Sequence, residues 1–466
     1  MRVRQFHEPG LGNNAHLLIS DRESVAALID PLRDVDQYQA VSNAEGVRIT
    51  HVLETHLHND FVSGGRELSA TTGARIVASA GAELEFDHQP VRDGDTLAIG
   101  EIRLTVIATP GHTPEHVSYL AEDTSRPGQP PVLFSGGSLL VGAVSRTDLL
   151  GHEHATGLAH QLYHTLHKRI LALDDQVVVY PTHGAGSFCT AAAGEGTTTT
   201  IGRERITNPL LKLADPETFA DRLLASMPSY PAYFDRMRSL NRRGPRLLGE
   251  VQRLKGLQPH DVHARHKRGE AVVDMRSVGD YAREHIPGVY HVELRSAFAS
   301  WVGWVVPFGT PVILVSETTE VHEYAVRQLI RIGYDNLPGY LQGGMAAWER
   351  AGLPIERVPV LTMRQVREKL ENGEPLVVVD VRQAHEWSGG HIPRAKLLEA
   401  GELPNAELQV PRDAAIATHC SHGQRAATAL SVLERRGYTR LALIAEGVDE
   451  WRRGGGPVEY RAPVRG

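Results

Sequence analysis

Cysteine is nearly absent: Cys189 and Cys420 are the only two in 466 residues. No disulfide framework can therefore hold this fold, and each thiol must be weighed singly. No apolar run approaches the roughly 18 residues a membrane span needs, and the opening MRVRQFHEPG lacks the apolar core of a secretory signal. A cytoplasmic protein that does not enter membranes is expected. Charge of one sign is not in excess, since 49 Lys and Arg stand against 56 Asp and Glu for a net charge of −7. That balance gives no electrostatic footprint for a nucleic-acid partner. Histidine is plentiful: of 24, 14 lie before residue 190, several directly after apolar strand-like runs. This asymmetry points to chemistry in the N-terminal part.

The chain is too long for one hydrophobic core, and domain sizes suggest about three. A repeat supports the division. VVDMRSVGDYAREHIPG (272–288) recurs as VVDVRQAHEWSGGHIPR (378–394), and LQGGMAAWERAGLPIE (341–356) recurs as IAEGVDEWRRGGGPVE (444–459). A period of about 105 residues makes the repeating unit a domain rather than a solenoid turn. Strand-like runs (AVVDM, PVILV; LVVVD, AAIAT) alternate with helical patterns (AVRQLIRIGY, ATALSVLERRGY), the pattern of a parallel sheet wrapped by helices. The first ~190 residues differ, with short strands that each end in a polar turn. Residues of roughly 190 to 250 open on TAAAGEGTTTT and continue into helical patterns (PETFADRLLASM, YFDRMRSL), read as a cap and connector.

Four strand ends in the N-terminal part deliver polar groups: His56 and His58 in THLHNDF, His112 in PGHTPEH, the turn of FSGGSLL, and His183 in PTHGAGSFC. Loops at strand ends are where a rigid sheet presents ligands. His-x-His can place two imidazoles on one ion, and a third His from another strand leaves positions open for substrate. Asp60 suits a hydrogen-bond partner behind these ligands. His116 either orients substrate or bonds backbone. The run His152, His154, His160, His164 and His167 follows a helical pattern and reads as surface.

The order THLHND, PGHTPEH, SRTDLL, YPTHGAGS resembles the metallo-β-lactamase superfamily over roughly residues 1 to 200, and within it the persulfide dioxygenase branch rather than the glyoxalase II branch. The resemblance implies an αββα sandwich and one non-haem iron, Fe(II), per chain, with zinc as the alternative. The family's iron ligands correspond here to His56, His112 and Gly137, so the family's carboxylate is missing, and Phe61 stands where a second-site His would be. Loss of both argues against a dinuclear hydrolase. His58 completes a neutral three-His face with His56 and His112, and three-His iron sites occur in thiol dioxygenases. The resemblance further implies that the turn bearing His183 and Cys189 lies beside the metal. There His183 would hold the substrate's anionic end, while Cys189 would accept or guide persulfide sulfur; as a residue, Cys189 suits a buried apolar position equally well.

In the last repeat a strand ends at His419, Cys420 opens a six-residue loop, and a helix begins near Gln424 or Arg425. Loop N–H groups, the helix terminus and Arg425 favour a sulfur anion there. Cys-x4-Arg in this setting resembles the rhodanese sulfurtransferase loop, over roughly 358 to 462. Spacing to RIGY and RRGY puts Ser316 at the nucleophile position of the first repeat and Val321 at the position of Arg425. A serine cannot carry a persulfide.

The expected architecture is therefore α/β throughout. A metallo-β-lactamase-like domain occupies 1–250 with its helical cap, an inactive rhodanese-like domain 251–357, and a rhodanese domain 358–466. Expected partners are a low-molecular-weight thiol persulfide, O2, and sulfite or thiosulfate. A homo-oligomer, dimer or tetramer, is expected, with the aromatic-rich FASWVGWVVPFG offering apolar surface. Other activities open to this sequence are zinc-dependent thioester or lactone hydrolysis, and sulfur delivery through Cys420 with a non-catalytic N-terminal domain.

Overall fold

The structure is a computed structural model describing residues 1–190 and 194–460. Part of the TAAAGEGTTTT stretch and the last six residues of the 358–466 domain thus lie outside the described residues. Two compact units emerge: Met1–Met227 with Tyr233–Val251 and Ile330–Gly333, and Pro228–Ala232 with Gln252–Leu329 and Tyr334–Gly466.

The first unit holds two six-stranded sheets. One runs in chain order from Arg2–Glu8 through Asn13–Ser20, Val25–Ile29, Arg48–Leu53 and Arg75–Ser79 to Gln89–Val91. Its first two pairings are antiparallel and its last three parallel. The other contains Ile102–Ala108, Val117–Asp123, Val132–Gly136 and Val178–Pro181, with Thr199–Thr200 on its edge. Period-two alternation aims Leu18, Ile29, Leu53 and Val77 of one sheet at Leu104, Val106, Tyr119 and Phe134 of the other, and these form one dry core. Each such side chain contributes about 1.5–3 kcal/mol by leaving water. Leu162 and Leu166 of the helical run that starts at His152 cover the outer face of the second sheet with Leu133 and Val179. This is the expected αββα sandwich.

The stretch read as a connector does more than connect. Ile201, Leu211, Phe219 and Leu223 belong to that outer core, and Thr199–Thr200 pairs with Val178–Val179. The two Thr residues that open it look like linker in sequence because an edge strand of two residues has no periodicity to read.

The second unit holds two five-stranded parallel sheets with one shared strand order. In the first, Val312–Val315 lies between Gly339–Leu341 and Ala271–Asp274; in the second, Ala415–His419 lies between Arg440–Ile444 and Leu376–Asp380. Helix Gln424–Arg435 begins where the sequence places it. The aromatic insert forms helix Phe298–Val305, whose Phe298, Val302 and Trp304 are buried, and Trp304 closes against Gly401 inside this unit. Among the described residues no helix is long and apolar enough to cross a membrane.

Candidate functional site

Four strand ends from both sheets of the first unit converge, because parallel pairing of Val132–Gly136 with Val178–Pro181 and of Val25–Ile29 with Arg48–Leu53 sends their following loops to one edge. His56 and His58 follow Arg48–Leu53, His112 and His116 follow Ile102–Ala108, and His183 follows Val178–Pro181. All five rings are buried. His56 sits at the centre, its ring centroid 4.2 Å from His58, 4.8 Å from His112, 5.0 Å from His116 and 5.3 Å from His183. Nε2 of His56 is 3.4 Å from Nε2 of His183. Donor atoms of His56, His58 and His183 lie within 4.8 Å of one another, as do those of His112, His183 and Cys189.

Hydrogen bonds fix which nitrogen of each ring is available. Nδ1 of His112 donates to the Arg146 carbonyl at 2.7 Å, which leaves Nε2 as a lone pair, buried and without a partner. Nε2 of His58 lies 3.3 Å from both Asp30 and Glu54, and its Nδ1 is buried without a partner. A ligating His backed by a carboxylate is the usual arrangement in metal sites. Burial would lower the His58 pKa, but the two carboxylates override it and raise it to about 10. Burial and the neighbouring rings hold His56 well below the ordinary value and push His112 down to about 3, so both are neutral and able to donate electron pairs.

His116 is occupied at both nitrogens. Nε2 accepts from the Gly137 N–H at 2.9 Å and Nδ1 pairs with Thr109 at 2.8 Å, so in this structure the ring bonds backbone and braces the 136–137 turn. Asp60 is buried, 3.3 Å from Nδ1 of His183, which also pairs with Asn13 at 2.9 Å. Asp60 thus stands behind a histidine. Burial pushes the Cys189 thiol well up, and Asp60 adds to the rise. Phe61 stacks on His58 with centroids 4.1 Å apart. His152, His154, His160 and His164 lie on helix His152–Thr165, none of them buried, and His167 follows in the next turn.

Several residues that hold the site have no motif to announce them. Helix Phe234–Arg243 clamps the His56–Phe61 loop: the Asn241 side-chain amide donates to the carbonyls of His58 and Phe61 at 2.9 and 2.8 Å, and the Tyr233 hydroxyl donates to the Asp60 carbonyl at 2.8 Å. Asp30 takes the Thr55 N–H and the hydroxyls of Thr55 and Thr182, tying the two sheets together behind His58. An aspartate ending the apolar strand VAALID was the available signal for it. A pocket lined by Glu54, His56, Leu57, His58 and Phe86 opens beside this loop. Asn241→Ala leaves two buried carbonyls without a donor, at about 1–3 kcal/mol each. We expect it to weaken metal binding about tenfold or more, measured by competition with a chelator, with folding verified by circular dichroism.

In the second unit Cys420 is buried at the end of Ala415–His419, and the Gly423 N–H donates to its sulfur at 3.1 Å. Arg425 pairs with Glu386 through two bonds of 2.5 and 2.9 Å and reaches the Ser421 hydroxyl at 3.1 Å. The loop is braced from below by Asp380, which takes the Arg382 guanidinium at 2.6 Å and lies 3.4 Å from His419. Burial would raise the Asp380 pKa, but His419 and Arg382 overcome it and hold the carboxyl well below its ordinary range. A depressed folded value gives stability present above the unfolded pKa of about 3.9 and lost as pH falls below it. Acid titration of tryptophan fluorescence in the full chain should show this loss below about pH 4, and Asp380→Asn should both destabilise the protein at pH 7 and flatten that slope.

The first repeat closes the equivalent loop with its own residues. The Ser316 hydroxyl donates to the Thr318 carbonyl at 2.9 Å and lies 2.7 Å from Nε2 of His322, and Val321 occupies the position of Arg425. No cation there faces a sulfur anion.

Comparison with known proteins gives a Metallo-beta-lactamase superfamily match over residues 9–183 and Rhodanese-like domain matches over 258–351 and 362–453. The human mitochondrial protein "Persulfide dioxygenase ETHE1" is 33% identical over 220 residues, 46% of this chain and 78% of that protein. A hydroxyacylglutathione hydrolase of Polaromonas sp. is 32% identical over 244 residues, 47% of this chain and 88% of that one. A crystal structure of a metallo-beta-lactamase from Staphylococcus aureus superposes with a TM-score of 0.66 at 30% identity, covering 73% of this chain and 98% of that one. Fold and donor set together indicate a metal cofactor, and the relatives with the rhodanese-like domains support a function in sulfur metabolism on sulfur-containing substrates.

Proposed function

The chain belongs to the metallo-β-lactamase superfamily and carries two rhodanese-like domains behind that fold, and from this premise we propose that it is a persulfide dioxygenase–sulfurtransferase. The observation that carries the reading is the buried, partnerless lone pair on His112 Nε2, in a ring 4.8 Å from that of His56. A neutral ring nitrogen buried without a hydrogen-bond partner is costly unless an electron-poor group binds it. His56, His58 and His112 are the ligands in this reading, and the ion is Fe(II).

Iron held by these residues would supply the redox chemistry by which O2 oxidises the terminal sulfur of a thiol persulfide, with the net reaction RSSH + O2 + H2O → RSH + SO3²⁻ + 2H⁺. The chain's own residues do the rest. Asp30 and Glu54 hold the Nε2 edge of His58, and Asp60 and Asn13 take the Nδ1–H of His183, which leaves its Nε2 as an electron-pair donor beside His56. Phe61 keeps a second metal out by replacing the imidazole it would need.

Cys420 carries sulfane sulfur. Its thiolate attacks the outer sulfur of thiosulfate, that S–S bond breaks, and sulfite leaves with the bonding pair, giving Cys420–S–S⁻; the reverse step makes thiosulfate from sulfite. Gly423 N–H supplies a donor to the sulfur, and Arg425 balances the charge beside it. One chain bearing both centres raises the local concentration of the sulfite they share. Sequestered by its own hydroxyl contacts, Ser316 leaves the first repeat without sulfur chemistry.

Glyoxalase-II-type hydrolysis is the competing reading, given the hydroxyacylglutathione hydrolase among the relatives. The iron-loaded protein should release one sulfite per persulfide consumed under oxygen and leave thioesters intact. Thioester hydrolysis by a zinc-loaded form, with no sulfite from the iron form, would reverse the assignment.

A further inference from the structure

Gly137 stands where the resembling family has its anionic ligand, and the structure shows why no side chain returns there. A Cβ at 137 would come within 2.4 Å of His112 Cδ2 and 2.9 Å of Ser145 Oγ. The ring of His112 occupies that space. Histidine ligands alone then bring no negative charge into direct contact with a divalent ion in low dielectric.

One other soft donor lies within reach. Cys189 is fully buried, and its sulfur lies within 4.8 Å of donor atoms of both His112 and His183. Its placement is fixed by the residue that fixes His112. The Arg146 carbonyl takes His112 Nδ1, the Arg146 N–H donates to the Cys189 carbonyl at 2.8 Å, and the Arg146 guanidinium donates to the Phe188 carbonyl at 2.9 Å. One buried residue therefore aligns the orphaned Nε2 of His112 and the thiol on the same cluster.

We infer that Cys189, as a thiolate, supplies the anionic ligand that Gly137 cannot, binding the metal on the His112–His183 side of the cluster. Ligation breaks the S–H bond heterolytically. The sulfur pair goes to the metal and the proton to Asp60 or solvent, with no change of oxidation state. This rests on the metal-site reading above. It makes the donor set a mixed nitrogen–sulfur one that suits Fe(II), Co(II) or Zn(II), and it uses Cys189 as a ligand, with Cys420 alone as the sulfur carrier.

The probe is Co(II) alone, added without oxygen to metal-free full-length protein. Wild type should bind about one ion with a sulfur-to-cobalt charge-transfer band in the near ultraviolet. Cys420→Ser should keep that band and Cys189→Ser should lose it. X-ray absorption of the wild-type complex should show a sulfur neighbour at about 2.3 Å, a readout that does not depend on the variant folding. Cobalt bound with no sulfur signal, or with a signal that Cys189→Ser leaves intact, overturns the ligand assignment while the metal site stands. If no cobalt binds at all, the metal reading itself falls.

Discussion

His112→Ala should leave the purified protein with less than about a tenth of a metal ion per chain, where the wild type holds about one, and with no persulfide-dependent oxygen uptake. The size of the effect follows from the electron-pair inventory. His112 offers a neutral Nε2, buried and partnerless, whose tautomer is fixed by the Arg146 carbonyl. Removing it deletes a donor and opens a void over Gly137, whose backbone cannot replace it. His154→Ala is the control, since its side chain is 63% exposed on helix His152–Thr165 and should leave metal content unchanged. Metal analysis of the two variants beside wild type decides the matter. Equal metal in His112→Ala and wild type would remove His112 from the site.

The second large effect is expected at the other centre. Cys420→Ser should lower thiosulfate:cyanide sulfurtransferase activity on the order of 10³-fold or more, because the step needs a covalent sulfur carrier and a hydroxyl cannot hold a persulfide. Metal content and sulfite formation should not change. The first repeat has a serine at the corresponding spacing. Ser316 is held by the Thr318 carbonyl and by His322, and Val321 gives no charge to an anion. If Cys420→Ser kept wild-type sulfurtransferase activity, the carrier would have to be Cys189. Arg425→Ala should also lower activity, with the half-buried Glu386 left without its cation.

Sequence made the architecture legible where periodicity and repetition carry it. The doubled VVD-x-R and HIP segments announced two like domains, and both fold with one strand order. Strand-then-turn runs announced the histidines, and the loops that bear them converge because parallel neighbours end at the same edge. What sequence could not show is the support behind those rings. Asn241 lies some 180 residues from the carbonyls it holds, and a polar residue in an arginine-rich helix carries no signal of a buried partner. The ring of His116 left two roles open, and its occupied nitrogens display the backbone bond. Gly137 read as a missing ligand; only the position of the His112 ring explains why a side chain is not tolerated there. Asp30 and Glu54, which raise the His58 pKa, are ordinary acidic residues until the fold brings them within 3.3 Å of it.

The central claim is that the buried histidine cluster is an oxygen-using metal centre acting on persulfide sulfur. An oxygen electrode tests it most directly, with iron-loaded full-length protein mixed first with a low-molecular-weight thiol and then with its persulfide. Uptake should begin only on addition of the persulfide, at one O2 per sulfite formed. No uptake from protein shown to hold about one iron per chain would contradict it.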